Sequence, residues 1–380
     1  MMKYNKFNNM EWVASALGFS ADSLPVPKQK LKTTSHQVIE LLQYCLDKGV
    51  NYLDIGYPYH LGEKKYMSGI ISQVISDFPR DSVKIALTIP SYSIKTANDF
   101  ELYLNMQLEW LKIEKADFCL LGMLNRDNWP VLNKLNVLEW VEKARSDGRI
   151  DKIGFSFHDH FQILKEIIAA YDHWAISQFQ YSYVDENHDP GSSGIAYASS
   201  KDLAVVISEP LHKKRLSNSL PSEVLKLISS FPAYHSPTTW ALQWVWNHPE
   251  VSVVLGEMSN ITEAEEHISA ANTFNPNSLT IKELIAYEKI KDYFKSKIIV
   301  PCPSCRPCMP CPQGIDVPRI FEIYNDAAIY NDYRTARKIY ADENHRIELC
   351  NECGSCEKSC AKRLTIIQYL KQAQIALEND

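Results

Sequence analysis

Short runs rich in Val, Ile, Leu and Phe recur through the first three quarters of the chain. Each is followed by a stretch whose apolar residues return every three to four positions. The runs at 15–18, 51–55, 83–88, 117–121, 152–156, 175–179, 203–208 and 251–255 predict strands. The stretches between them, such as 37–48, 100–111, 137–146 and 237–247, predict amphipathic helices. Eight strands alternating with helices favour a parallel sheet, and eight is the number that closes a (β/α)8 TIM barrel. An open doubly wound sheet is the rival architecture. It calls for a glycine fingerprint after the first strand, which Gly18-Phe19-Ser20-Ala21-Asp22 does not supply.

The pattern changes after a helical stretch at 280–297. Residues 301–312 read PCPSCRPCMPCP, too rich in proline for a helix or a central strand. A helix is then predicted over 317–341, followed by a second group of cysteines and a last helix at 364–377. The reading is a barrel over 1–285 and a smaller, mainly helical domain over 286–380.

Composition narrows the class. The chain has 380 residues, 45% of them hydrophobic and 23% charged, enough for two to three domains with real cores. Forty basic residues against 46 acidic ones give a net charge of −6, so no basic surface calls for nucleic acid. No apolar run reaches the ~20 residues a membrane span needs. The first residues, MMKYNKFNNMEW, lack the apolar core of a secretory signal. The expectation is a soluble cytoplasmic protein that binds neither nucleic acid nor membrane.

Eight of the ten cysteines lie between Cys302 and Cys360. Clustering of this kind in a cytosolic chain points to a metal rather than to disulfides. The first group is Cys302-x2-Cys305-x2-Cys308-x2-Cys311-Pro312, the second Cys350-x2-Cys353-x2-Cys356-x3-Cys360. Three cysteines at i, i+3 and i+6 let a looping backbone wrap one cubane, while the fourth thiolate comes from the distant group. The spacing predicts two [4Fe–4S] clusters, one on Cys302, Cys305, Cys308 and Cys360, the other on Cys350, Cys353, Cys356 and Cys311. Structural zinc is the alternative, but zinc ribbons pair their cysteines in twos. The helical spacer between the runs suggests a ferredoxin-like domain of α-helical type. Cys45 and Cys119, in a helix and a strand pattern, read as buried inert thiols.

After the second strand the chain reads YLDIGYPYHLGEKKY, which resembles the aldo/keto reductase motif, its active-site aspartate and tyrosine falling on Asp54 and Tyr59. KIGFSFHD (152–159), QFQYSYVDE (178–186), ISEPL (207–211), WALQWVWNHPEVSVVLGEMSN (240–260) and the cysteine-bearing tail are similar to the ferredoxin-fused branch of that family. The resemblance implies a tyrosine general acid, a lysine after the third strand that lowers its pKa and pairs with the aspartate, and a histidine after the fourth strand. Matching KIALTIP (84–90) and DFCLLGMLN (117–125) puts Ile89 at the lysine position and Gly122 at the histidine position. Lys84, at the other end of its strand, does not substitute. Without a cation a phenol stays near its ordinary pKa of ~10, and Asp54 lacks an ion-pair partner unless another cation approaches. The expectation is weak carbonyl reduction and a larger, less polar pocket beside Tyr59.

The resemblance also assigns Ser156 and Gln178 to a nicotinamide carboxamide. The turn facing the cofactor phosphates is His212-Lys213-Lys214 instead of glycine-rich, and Glu257 and Glu263 stand where NADP-dependent relatives carry basic groups. A carboxylate there repels a ribose 2′-phosphate, so NAD(H) is favoured over NADP(H). His60 and His158, with His160 nearby, are candidate replacement acids. Three readings follow. The first is a divergent iron–sulfur oxidoreductase acting on an unidentified small-molecule or modified substrate, with a redox partner protein. The second is a retired barrel serving as a scaffold or electron-transfer subunit. The third is a non-redox enzyme with structural clusters.

Overall fold

The computed structural model describes residues 1–7, 10–24, 32–56, 61–186, 190–231 and 236–378. They form two compact units, one of Met1–Asn218 with Ala233–Thr280, the other of Ser219–Pro232 with Ile281–Asp380.

The first unit opens with an antiparallel hairpin, β1 (Tyr4–Lys6) and β2 (Val13–Ser15), that the hydrophobic pattern does not predict. Eight strands follow: β3 (Leu17–Ser20), β4 (Tyr52–Asp54), β5 (Lys84–Ile89), β6 (Ala116–Leu124), β7 (Ile150–Phe157), β8 (Trp174–Gln180), β9 (Ala204–Ser208) and β10 (Val251–Gly256). All pair in parallel and close into a barrel, β10 against β3. The (β/α)8 architecture is therefore the right one, and the doubly wound sheet is excluded. The predicted first strand is divided: Ser15 ends the hairpin, and the barrel strand starts at Leu17.

Alternate residues point inward. Tyr52, Ala86, Phe118, Leu120, Ile176 and Val206 fill the interior, and Phe7 of the hairpin packs among them. Its ring lies 5.1 Å from Phe118 and 5.7 Å from Tyr52. Fully burying each such ring contributes about 1.5–3 kcal/mol, so the hairpin seals the N-terminal end of the barrel with apolar surface. The open end is the other one. There Ser20 is in register with Asp54, Ser156 with Gln178, and Gln180 with Ser208, which brings polar side chains from neighbouring strands to one rim.

The same alternation bears on the end of β5. Ala86 is inward, so Thr88 is the inward residue at the end of β5, and Ile89 turns toward the helical layer, fully buried. A slip of one residue exchanges the faces of a strand. Neither Thr88 nor Ile89 is among the residues that line the mouth cavity. Neither is a cation. Lys84 lies at the far end, 3.2 Å from Asp117.

The second unit is helical. Val317–Tyr330, Tyr333–Asp342 and Ile366–Glu378 pack around Ile320, Phe321, Tyr340 and Leu370, and Ser222–Ser229 packs on Ile281–Lys297. The single helix expected over 317–341 is broken. Asn331 caps the first helix in the left-handed region at φ 51°, and the Asp332 side chain caps the next by accepting the Thr335 N–H at 3.0 Å. Among the described residues no helix is long and apolar enough to cross a membrane.

Candidate active site and cysteine centre

A cavity of about 570 Å3 opens at the C-terminal ends of the barrel strands, where function resides in this architecture. Asp54, Ser156, His158 and Gln178, drawn from the ends of three different strands, all line it. Tyr59 and His60 lie outside the described residues. His160 starts the helix Phe161–Ala169 and is not among the lining residues. The lining is mostly polar and charged, with Met123 and Leu255 as its apolar members; the pocket expected beside Tyr59 lies outside the described residues.

Gly122 sits where β6 loses register with β7, between Leu121 and Leu124, and Met123 takes a left-handed φ of 55°. The irregularity turns Met123 into the cavity. Its N–H donates to Ser156 Oγ at 2.7 Å, which leaves that hydroxyl its own proton to give.

Asp54 is buried at the end of β4 and accepts the Gly56 N–H at 2.8 Å. A cation does approach, from a place the sequence does not announce. Lys64, on the helix Leu61–Ile75, pairs with Asp22 and reaches toward the Ile55 carbonyl at 3.4 Å. Burial pushes the Asp54 carboxyl up and the Asp22 charge adds to this. The Gly56 N–H, Lys64 and the Gln178 amide pull it back, leaving it at about 6. Gln178 thereby uses its donor, while its Oε1 is buried without a partner.

The loops after β9 and β10 hold each other. Both oxygens of Glu257 accept backbone N–H groups, Leu211 at 2.9 Å and Lys214 at 3.0 Å. His212, Lys213 and Lys214 are three consecutive left-handed residues, with φ of 50°, 55° and 63°. Each costs about 1–2 kcal/mol in a residue with a Cβ. Two charge-assisted bonds at about 1.5–3 kcal/mol each offset that cost. Burial raises the Glu257 carboxyl, the Leu211 N–H opposes this, Glu209 raises it further, and the Lys214 N–H and His212 lower it, leaving it at about 7. Lys214 Nζ is engaged by Glu263 at 2.7 Å and Ser259 Oγ at 2.8 Å. The expected repulsion from Glu263 is therefore already cancelled within the protein.

A nicotinamide fits half of this cradle. A carboxamide offers a donor and an acceptor, which the Gln178 Oε1 and the Ser156 hydroxyl complement. The phosphate half does not fit, because Glu257 already fills the amides of the turn.

In the second unit neither cysteine run is regular for most of its length. Each two-residue gap in Cys302–Cys308 and Cys350–Cys356 contains one left-handed residue, namely Ser304, Arg306, Glu352 and Gly354. These residues curl the backbone back on itself. Cys308, Cys311, Cys350, Cys353 and Cys356 line one small cavity. Burial raises the Cys302 thiol, and the nearby Cys305 and Cys360 add to the effect. No thiol is in a disulfide. Among the described residues no three His, Cys, Asp or Glu side chains converge as on a single metal ion. Cys45 and Cys119 are fully buried, their thiols pushed up to about 12 by burial. Inert packing suits them.

The closed parallel barrel with its polar mouth defines a TIM-barrel protein. The sequence profile of the aldo/keto reductase family matches residues 26–284. The chain belongs to the aldo/keto reductase family. It is similar in fold to an aldo-keto reductase from Klebsiella pneumoniae solved in complex with NADPH, at TM-score 0.63 and 17% identity over 77% of this chain and 95% of that one. An aldo-keto reductase from Bacillus halodurans in its holo form gives TM-score 0.62 and 20% identity over 76% and 96%. No curated protein sequence matches the chain.

Proposed function

We propose that this protein is a divergent iron–sulfur oxidoreductase of the cytoplasm. In this reading two [4Fe–4S] clusters in the region 286–380 exchange electrons with a substrate bound at the mouth of the barrel, 1–285. The observation that carries it is the arrangement of the eight cysteines. Cys308 and Cys311 of the first run share a cavity with Cys350, Cys353 and Cys356 of the second. Cys360 of the second run lies near Cys302 of the first. Approach of the two runs to one another supports the exchange of the fourth cysteine that a two-cubane domain needs. A cubane keeps its four thiolates apart by its own width, so cysteines lining a cavity suit it better than they suit one tetrahedral zinc.

When bound, the clusters supply one-electron chemistry that hydride transfer from a nicotinamide does not require. The barrel residues would manage protons. Asp54 and Glu257 are carboxyls held near neutrality by burial, and His158 lines the same cavity. With Gly122 in place of a histidine and no lysine at the mouth end of β5, hydride-based carbonyl reduction is weak. A redox partner protein would load or unload the clusters. A scaffold or electron-transfer subunit is the second reading, favoured by the filled phosphate turn alone.

Anaerobically reconstituted protein should bind about eight irons and eight sulfides, and Cys305→Ala should lose or degrade one cluster. Two zinc ions without labile sulfide would overturn the assignment.

A further inference from the structure

In (β/α)8 barrels a phosphate group is frequently held by the loops after the seventh and eighth strands. Here those strands are β9 and β10, and their loops bind one another. Leu211 and Lys214 turn two N–H groups onto one point of the cavity wall, with Lys213 and Lys214 beside it. Converging amides flanked by cations make a site for an oxyanion. We propose that Glu257 is the permanent occupant of this site, a carboxylate of the chain in place of a phosphate, and that it closes the barrel to the pyrophosphate of nicotinamide dinucleotides.

Three independent observations support this. Both carboxylate oxygens are used, so no donor of the pair is left for a ligand. The Lys214 ammonium, which would otherwise reach an incoming anion, is held by Glu263 and Ser259. The three left-handed residues that aim the amides carry side chains, so the turn is strained without its acceptor. Glu257 directly follows β10, and a phosphate dianion entering the turn would meet its volume and, when it is ionised, its charge. Closure spares the nicotinamide end, where Ser156 and Gln178 remain at the rim. A substrate at the mouth is thereby expected to lack a phosphate reaching this turn. The inference stands whether or not the cysteines hold clusters.

The test is binding to the full-length protein, purified anaerobically, with NADPH, NADH and inorganic pyrophosphate as probes in separate calorimetric titrations. The wild type should show no saturable binding of any of them at the turn. Glu257→Ala frees both amides and removes the charge, and should bind pyrophosphate and NADPH at least about tenfold more tightly than wild type. Glu257→Gln, which keeps one acceptor oxygen, should fall between them. Tight wild-type binding, or folded variants with no gain, would overturn the proposal. Should the variants unfold, amide exchange on the wild type decides. The Leu211 and Lys214 amides should be protected without ligand and unchanged by NADPH, and a shift of either on adding NADPH would refute closure.

Discussion

The Lys64 ammonium rests against the Asp22 carboxylate, and Asp22 in turn lies on the Cα of Gly56, where a Cβ would come within 2.3 Å of its carboxylate carbon. Gly56 has φ 75°, a conformation that a side chain disfavours. The mouth thus gains a cation from a helix, paired across 42 residues of sequence, where β5 supplies none. One lysine faces two carboxyls, and burial together with the Asp22 charge keeps Asp54 raised.

Lys64→Met should therefore move the Asp54 carboxyl above about 6, since Lys64 is one of the groups that lower it. Carbon-13 NMR titration of labelled aspartates reads this directly. An unchanged midpoint would mean that Lys64 serves Asp22 alone.

Asp54 should make stability depend on pH in a defined window. Its folded pKa of about 6 lies above the ordinary 3.8, so its contribution is fully present below 3.8 and lost as pH rises through about 6. A shift of that size corresponds to about 3 kcal/mol at most. Asp54→Asn should flatten the chemical-denaturation profile across this window and raise stability at pH 8 by about 1–3 kcal/mol. A variant less stable than wild type at pH 8 would contradict the account.

The two neighbouring positions on β5 should respond differently to lysine. Ile89→Lys buries an unpaired ammonium against the helical layer and should cost about 3–5 kcal/mol. Thr88→Lys sends its ammonium along the inner face toward the open end and should cost distinctly less. Thermal unfolding of both variants separates them, and equal losses would mean that β5 does not alternate as described.

The crossed cysteine sets have a spectroscopic signature. Cys311→Ser should perturb the same cluster resonance as Cys353→Ser, and Cys360→Ser the same one as Cys305→Ser, in electron paramagnetic resonance of the reduced protein. If Cys311→Ser instead matches Cys305→Ser, each run would be holding its own cluster.

The short apolar runs determined eight strands, because a barrel strand buries its inward and its outward side chains alike. The cysteine spacing determined two closely spaced thiol runs, because each run is local in sequence. Asp54, Ser156, His158 and Gln178 were legible because each falls at or just after a strand end, where chain order alone fixes the rim. Tertiary structure decided the rest. Which β5 residue faces inward depends on register, set by the Ala86 pairing with Asp54 and not by composition. Lys64 meets Asp22 only after a helix folds back on the barrel, and no spacing rule pairs residues so far apart. Glu257 looked like a charge facing an absent phosphate. Closure of β10 beside β9 turned it into an internal acceptor, since a buried carboxylate must find hydrogen-bond donors and the strained turn next to it must find an acceptor.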